Sequence, residues 1–229
     1  DAAAETAVAK ARESCERKRL YVFDFVGDVR ASQVENLRHE ITAVLGAHKP
    51  GDRVLLRLES PGGVVHGYGL AASQLQRLRD AGIELVVAVD KVAASGGYLM
   101  AAVANRIVAA PFALVGSIGV VAQIPNLHKI LKKYDVDVEL MTAGKFKRTL
   151  TVFGENTDEG RAQFQRDLDE THKLFQGVIA RHRPAVVLDD VADGRVWYGA
   201  QAQDIGLIDA VGTSDDLLVQ AAAGEDLVQ

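Results

Sequence analysis

Residues 54–63 read Val54-Leu55-Leu56-Arg57-Leu58-Glu59-Ser60-Pro61-Gly62-Gly63. The first five are a short apolar run of strand-forming length, and the Ser-Pro-Gly-Gly that follows is a turn no strand continues through. Beyond it, Leu70, Ser73, Leu75 and Leu78 begin an amphipathic helix that stops near Ala81-Gly82. Ile83 to Val89 is a second apolar strand, Ala94 to Val103 a helix of small residues, and Ile107-Val108-Ala109-Ala110 a third strand. Upstream the same unit appears once more. Leu20 to Val26 is strand-like and bounded by Gly27, and Val34, Leu37, Ile41, Val44 and Leu45 recur at helical spacing up to the stop Lys49-Pro50-Gly51. Strands alternating with helices imply an α/β domain with a mainly parallel sheet and right-handed crossovers. Continuous apolar strands fit a sheet buried on both faces.

Past Pro125 the pattern turns helical. Leu127, Ile130, Leu131 and Tyr134 form one stripe; Phe164, Leu168, Thr171, Phe175, Val178 and Ile179 form a longer one. No internal repeat or linker interrupts residues 20–215, so a single domain with a helical C-terminal part is expected there. A charged, Ala-rich extension or linker precedes it over 1–19, and a tail follows over 216–229.

At 229 residues the chain can bury a sizeable core, and its 48% hydrophobic and 25% charged residues are those of a globular protein. The net charge of −5 points to no nucleic-acid partner and to no anionic membrane surface; Arg17-Lys18-Arg19 reads as a solvated helix end. A single cysteine, Cys15, allows no intrachain disulfide. No apolar run reaches the roughly 18 residues of a membrane span. The opening Asp1-Ala2-Ala3-Ala4 lacks an initiator methionine, as in a processed or cut chain, so a lost upstream anchor is an expectation.

Two glycine-bearing turns could carry chemistry: Glu59-Ser60-Pro61-Gly62-Gly63 and Ala93-Ala94-Ser95-Gly96-Gly97-Tyr98. A serine followed by Gly-Gly at a helix start sets its hydroxyl beside unsatisfied N–H groups, which could hold an oxyanion. Taken alone, such a serine is more commonly just an N-cap. A nucleophile also needs a base. His39, His48, His172 and His182 lie in polar helical stretches, whereas His66 and, less well placed, His128 could approach a site. A lysine serves equally if burial disfavours its charged form. Lys145 and Lys147 lie in Thr142-Ala143-Gly144-Lys145-Phe146-Lys147-Arg148-Thr149, after the apolar-alternating Val136 to Leu140. No phosphate-loop or dinucleotide fingerprint and no metal-ligand spacing is present, so no cofactor and no metal are expected.

Together these segments resemble the signal peptide peptidase A family of Ser/Lys serine peptidases, particularly its short SohB-type branch. The resemblance is carried by Leu58 to Gly63, Asp90 to Tyr98, Gly116-Ser117-Ile118-Gly119-Val120, Ala143 to Thr149, Gly194-Arg195-Val196-Trp197-Tyr198-Gly199 and Gly206-Leu207-Ile208-Asp209, in family order over residues 20–215. It implies a Clp/crotonase-like ββα superhelix. It also implies Ser95 as nucleophile and Lys147, third after Gly144, as general base, leaving Lys145 at the surface and His66 beside the site. Ser117 matches the serine that orients the lysine, and Gly63 and Gly96 match the oxyanion-hole positions. Gly119, Val120 and Val121, with Ala122, would pair with a peptide substrate as an added strand, and the small residues around suit apolar peptides; that these are remnants of signal peptides is implied by the resemblance alone. The resemblance further implies a homo-oligomer, an octamer being one expected size, in which Ser95 meets Lys147 of a neighbour. An anchor in the bacterial inner membrane and a periplasmic catalytic domain follow from it as well. Two other readings of the glycine turns are a crotonase-like acyl-thioester enzyme, which needs a carboxylate base, and a peptide-binding scaffold that cuts nothing.

Overall fold

The computed structural model describes residues 17–229. The extension expected over 1–19 therefore lies outside the described residues up to position 16, Cys15 included, and Arg19 already opens the first strand. In chain order the elements are β1 (Arg19–Val26), α1 (Val34–Ala47), β2 (Arg53–Glu59), α2 (Val65–Asp80), β3 (Glu84–Val89), β4 (Val92–Ala94), α3 (Gly96–Ala102), β5 (Arg106–Ala109) and β6 (Leu114–Gly116). There follow α4 (His128–Lys133), α5 (Asp158–His182), α6 (Leu188–Val191), β7 (Val196–Tyr198), α7 (Gly199–Asp204), β8 (Ala210–Val211), α8 (Ser214–Ala222) and β9 (Asp226–Val228). They fall into two compact units, one made of the described residues up to Ile118 with Gly177–Gln229, the other of Gly119–Gln176.

The first unit is built on a six-stranded sheet in the order β8-β5-β3-β2-β1-β9, parallel at every pairing. Its central strands read as the apolar runs of the sequence because both faces are covered. One face packs Leu20, Val22, Leu55, Val86 and Ala88 against Ala221, with Leu217 and Leu218 of α8 beside them. Leu37 and Ile41 of α1 and Leu75 and Leu78 of α2 are buried too, each such side chain contributing about 2 kcal/mol by leaving water. A smaller sheet, β4-β6-β7, runs parallel between β4 and β6 and antiparallel between β6 and β7. A single bridge, Ser60 to Ala93, joins the end of β2 to it.

Three local features differ from the sequence reading. Helix α2 starts at Val65 rather than near Leu70. Its first turns hold Gly67 and Gly69, whose poor helix propensity hides the start, yet a Cβ at Gly67 would lie 2.7 Å from the Arg30 carbonyl oxygen. The stretch expected as one helix from Ala94 divides at Ser95 into β4 and α3. The segment read as a tail supplies most of α8 and all of β9, which pairs with β1 and ties down through Glu225, which accepts three hydrogen bonds from Arg53 at 2.6, 2.8 and 3.0 Å.

The second unit contains α4 and all but the last residues of α5. Val136, Val138 and Leu140, which alternate like a strand, form none and stay exposed.

Candidate active site

Ser95 stands at the junction of β4 and α3 with φ 51° and ψ −120°, outside the regions open to an L-residue without strain. Its side chain does not cap α3, so the N-cap reading of this serine is not what the structure uses. The backbone is held on both sides: the Ser95 N–H donates to the Gly116 carbonyl at 2.8 Å, and the Ser95 carbonyl accepts from Leu99 at 2.9 Å. A strained residue fixed this firmly at a strand-to-helix turn is the kind of geometry that presents a nucleophile.

The other glycine turn lies directly against it. Ser60 N–H donates to the Val92 carbonyl at 2.8 Å, and Ala94 N–H donates to the Ser60 carbonyl at 2.9 Å. Gly62 has φ +90°, and a Cβ there would sit 2.7 Å from Ser95 Cβ and 2.8 Å from the Gly96 nitrogen. Only glycine permits that approach. The Gly63 N–H has no acceptor among the described residues, and Gly96 opens α3, where first-turn N–H groups lack intrahelical acceptors. Each of the two turns thus offers a backbone donor, Gly63 on one and Gly96 on the other.

Ser117 follows the β6 residue Gly116, the register partner of Ala94 on β4, so Ser95 and Ser117 leave neighbouring strands side by side. It too has positive φ, 51°, and its N–H donates to the Arg195 carbonyl at 2.7 Å. Arg195 in turn stacks its guanidinium on Trp197, 4.7 Å from the ring centroid, so β7 braces this turn. Of the two motif residues, Trp197 packs under Arg195, whereas Tyr198 is half exposed and meets Phe112 edge-on.

Lys147 belongs to the second unit, as do Gly119, Val120 and Val121. It closes a turn, donating its N–H to the Gly144 carbonyl at 3.1 Å, and its side chain is exposed with no ion pair among the described residues. Lys145 differs: its ammonium pairs with Glu159 at 2.6 Å. His66 is exposed on the first turn of α2.

Tyr68, which the sequence reading passed over, is fully buried against the site, and Gly67-Tyr68-Gly69 was the available signal: a bulky ring between glycines at a helix start. A cavity of about 260 Å³ at the carboxyl ends of β1, β2 and β3 is lined by Asp24, Arg57, Glu59, Asp90, Lys91 and Asp215. Its groups satisfy one another, Arg57 with Asp24, Lys91 with Glu59 and Asp90 with Ser214, and Ser95 does not line it. Among the described residues no His/Cys/Asp/Glu group could hold a metal, and no helix is long and apolar enough to cross a membrane.

The fold is that of the Clp peptidases: a ClpP1 mutant from Listeria monocytogenes matches with TM-score 0.57 at 11% identity, covering 85% of this chain and 92% of that one. Among curated proteins, the chain is 60% identical over 201 residues to "Probable protease SohB" of Haemophilus influenzae, 88% of this chain and 57% of that protein. It is 31% identical over 198 residues to "Protease 4" of Salmonella typhi, 86% of this chain and 31% of that protein. The chain thus spans little more than half of its SohB relative. The family model "Peptidase family S49 N-terminal" matches residues 2–75 and "Peptidase family S49" matches residues 77–228. On the strained serine between two glycine turns and on these matches, the chain belongs to peptidase family S49.

Proposed function

We propose that the chain is a serine endopeptidase of apolar peptides, with Ser95 as nucleophile and Lys147 as general base. The Lys147 amine takes the Ser95 Oγ proton as Oγ attacks the peptide carbonyl; the N–H groups of Gly63 and Gly96 hold the oxyanion, each worth about 3 kcal/mol of barrier. The tetrahedral adduct collapses to an acyl-enzyme, the Lys147 ammonium gives its proton to the leaving amine, and water repeats the cycle. Ser117 orients the amine. Gly119, Val120 and Val121 take the peptide as an added strand, and remnants of signal peptides are the substrate class. The observation that carries the reading is Ser95 at φ 51° with the glycine turn of Gly62 pressed against it.

A lysine acts as base only where burial disfavours its charge, and Lys147 is exposed in the single chain. The reading therefore includes a homo-oligomer in which Ser95 of one copy works with Lys147 of the next, anchored at the bacterial inner membrane with the peptidase in the periplasm. In support, the unit carrying Lys147 leaves Val121 90%, Met141 88% and Leu140 50% exposed, more apolar surface than a lone unit usually shows water.

The test is hydrolysis of a fluorogenic apolar peptide across pH by wild type, Ser95→Ala, Lys147→Ala, Lys145→Ala and His66→Ala. Turnover should fall by about 10³-fold or more in the first two variants and persist in the last two. Co-assembled Ser95→Ala and Lys147→Ala chains should regain part of it. A dead His66→Ala beside an active Lys147→Ala would make the base a histidine and end the proposal.

A further inference from the structure

Behind the two glycine turns lies a chain of hydrogen bonds whose direction can be worked out. Tyr68 Oη donates to the Asp28 carbonyl at 2.8 Å. That uses its one proton, so in the 2.6 Å contact between Ser60 Oγ and Tyr68 Oη the serine is the donor. Ser60 Oγ then accepts from the Gly62 N–H at 3.1 Å. The relay runs one way: Gly62 N–H to Ser60, Ser60 to Tyr68, Tyr68 to Asp28. Ser60 and Tyr68 are both 0% exposed, so water does not compete for these bonds.

The relay touches the surroundings of both proposed oxyanion donors. The Asp28 peptide leads into Val29, whose carbonyl accepts the Val64 N–H at 2.8 Å and sits where a Cβ on Gly63 would overlap it. The Tyr68 ring occupies the space a Cβ on Gly96 would need. The Ser60 carbonyl lies 2.5 Å from where a Cβ on Gly97 would be. Gly27 closes the back, since a Cβ there would overlap both hydroxyls. The tyrosine ring is itself held edge-on by Phe25, centroids 6.4 Å apart.

We propose that the buried Ser60–Tyr68 hydroxyl pair is the clamp that positions the Gly63 and Gly96 N–H groups relative to each other, making both side chains positioning residues for the oxyanion hole. The inference rests on the Ser95 peptidase reading. A clamp of this kind acts on the tetrahedral oxyanion and not on the ground-state peptide, so its loss lowers kcat and leaves KM alone.

The experiment uses the full chain, with Tyr68→Phe, which keeps the ring, and Ser60→Ala as a second variant. Three readouts are taken: kcat and KM on a fluorogenic apolar peptide, inhibition by a peptide aldehyde whose hemiacetal oxygen occupies the oxyanion hole, and labelling of Ser95 by a fluorophosphonate. Either variant should lose about 10- to 100-fold in kcat with KM changed less than about threefold, and aldehyde affinity should fall by the same factor as kcat. The double variant should be no worse than the worse single one, because both break one relay. If both variants fold and keep wild-type kcat, the clamp is overturned while the peptidase reading stands. Loss shared by kcat, KM and the melting transition makes the pair purely structural and overturns it as well. If wild type is not labelled at Ser95 and Ser95→Ala keeps its turnover, the peptidase reading itself has failed and the clamp with it.

Discussion

At the residue scale, two positions show how little tolerance the first unit has around its buried groups. Gly96 faces the Tyr68 ring so closely that an added methyl overlaps it. Gly96→Ala should destabilise by about 1–3 kcal/mol, the usual cost of overpacking, and should also displace the adjacent N–H. Urea denaturation measures the first effect and fluorophosphonate labelling the second. Tyr21 is the opposite case. Its ring is buried under the Arg19 guanidinium, 5.2 Å from the centroid, while its hydroxyl is buried with no hydrogen-bond partner among the described residues. Burial accordingly pushes its pKa upward. Tyr21→Phe removes an unsatisfied polar group without changing shape, and should raise stability by about 1 kcal/mol. An unchanged or lower denaturation midpoint would show that the hydroxyl is satisfied in solution.

At the scale of elements, long-range ion pairs hold the C-terminal segments to the sheet. Arg183, just past α5, reaches Asp209 with two hydrogen bonds of 2.8 Å and the Gly206 carbonyl at 3.1 Å, and Asp209 also accepts from the Ile107 N–H at 2.7 Å. Burial pushes the Asp209 carboxyl up, but the bonds from Arg183 and Ile107 outweigh it and hold its pKa below the ordinary carboxylate value. A carboxylate with a depressed folded pKa stabilises fully above its unfolded value of about 4 and loses that contribution as pH falls through the lower folded value. Stability should therefore drop below about pH 4, and Asp209→Asn should flatten this acid limb in melts recorded from pH 7 to pH 2. Arg183→Ala removes the buried guanidinium from the partly exposed Asp209 carboxylate and should cost about 1–2 kcal/mol. Helix α8 has its own anchor: Thr213 and Asp216 form a reciprocal capping box, and Asp90 accepts from both the N–H and the hydroxyl of Ser214 at 2.8 and 2.6 Å.

At the scale of the whole molecule, the two units differ in what they bury. The first has a continuous core beneath its sheet, from Phe25 and Leu56 to Ile107. The second, from Gly119 to Gln176, exposes Ile130, Tyr134, Phe146 and Phe153 along with the alternating Val136, Val138 and Leu140. An alternating apolar segment that pairs with no strand among the described residues fits a surface completed by another copy. Light scattering after size exclusion should give a mass that is a multiple of the 24.6 kDa chain. Val138→Lys combined with Leu140→Lys should shift that mass toward the monomer and remove peptidase activity together. A monomeric wild type that still hydrolyses peptides would show instead that one chain suffices.

Much of this was readable from residue order. Continuous apolar strands such as Val54 to Leu58 and Ile83 to Val89, interleaved with helical spacing, dictate a buried parallel sheet, because an apolar run is stable only where both faces are covered. Ser95 by itself reads as a common N-cap and stands out only through the family resemblance, whereas the glycine turns were legible for a local reason, since glycine opens backbone conformations closed to other residues. Residues distant in sequence were not. That Gly62 presses on Ser95, that Tyr68 stands behind Gly96, and that β9 finishes the sheet beside β1 depend on crossovers that bring separate turns to one place. A tail and a strand edge have the same composition until a partner strand is within hydrogen-bonding distance, and a tyrosine at the start of a helix has no evident task until packing decides which two hydroxyls share its pocket. Local sterics and hydrophobic periodicity are properties of the chain; close approach is a property of the fold.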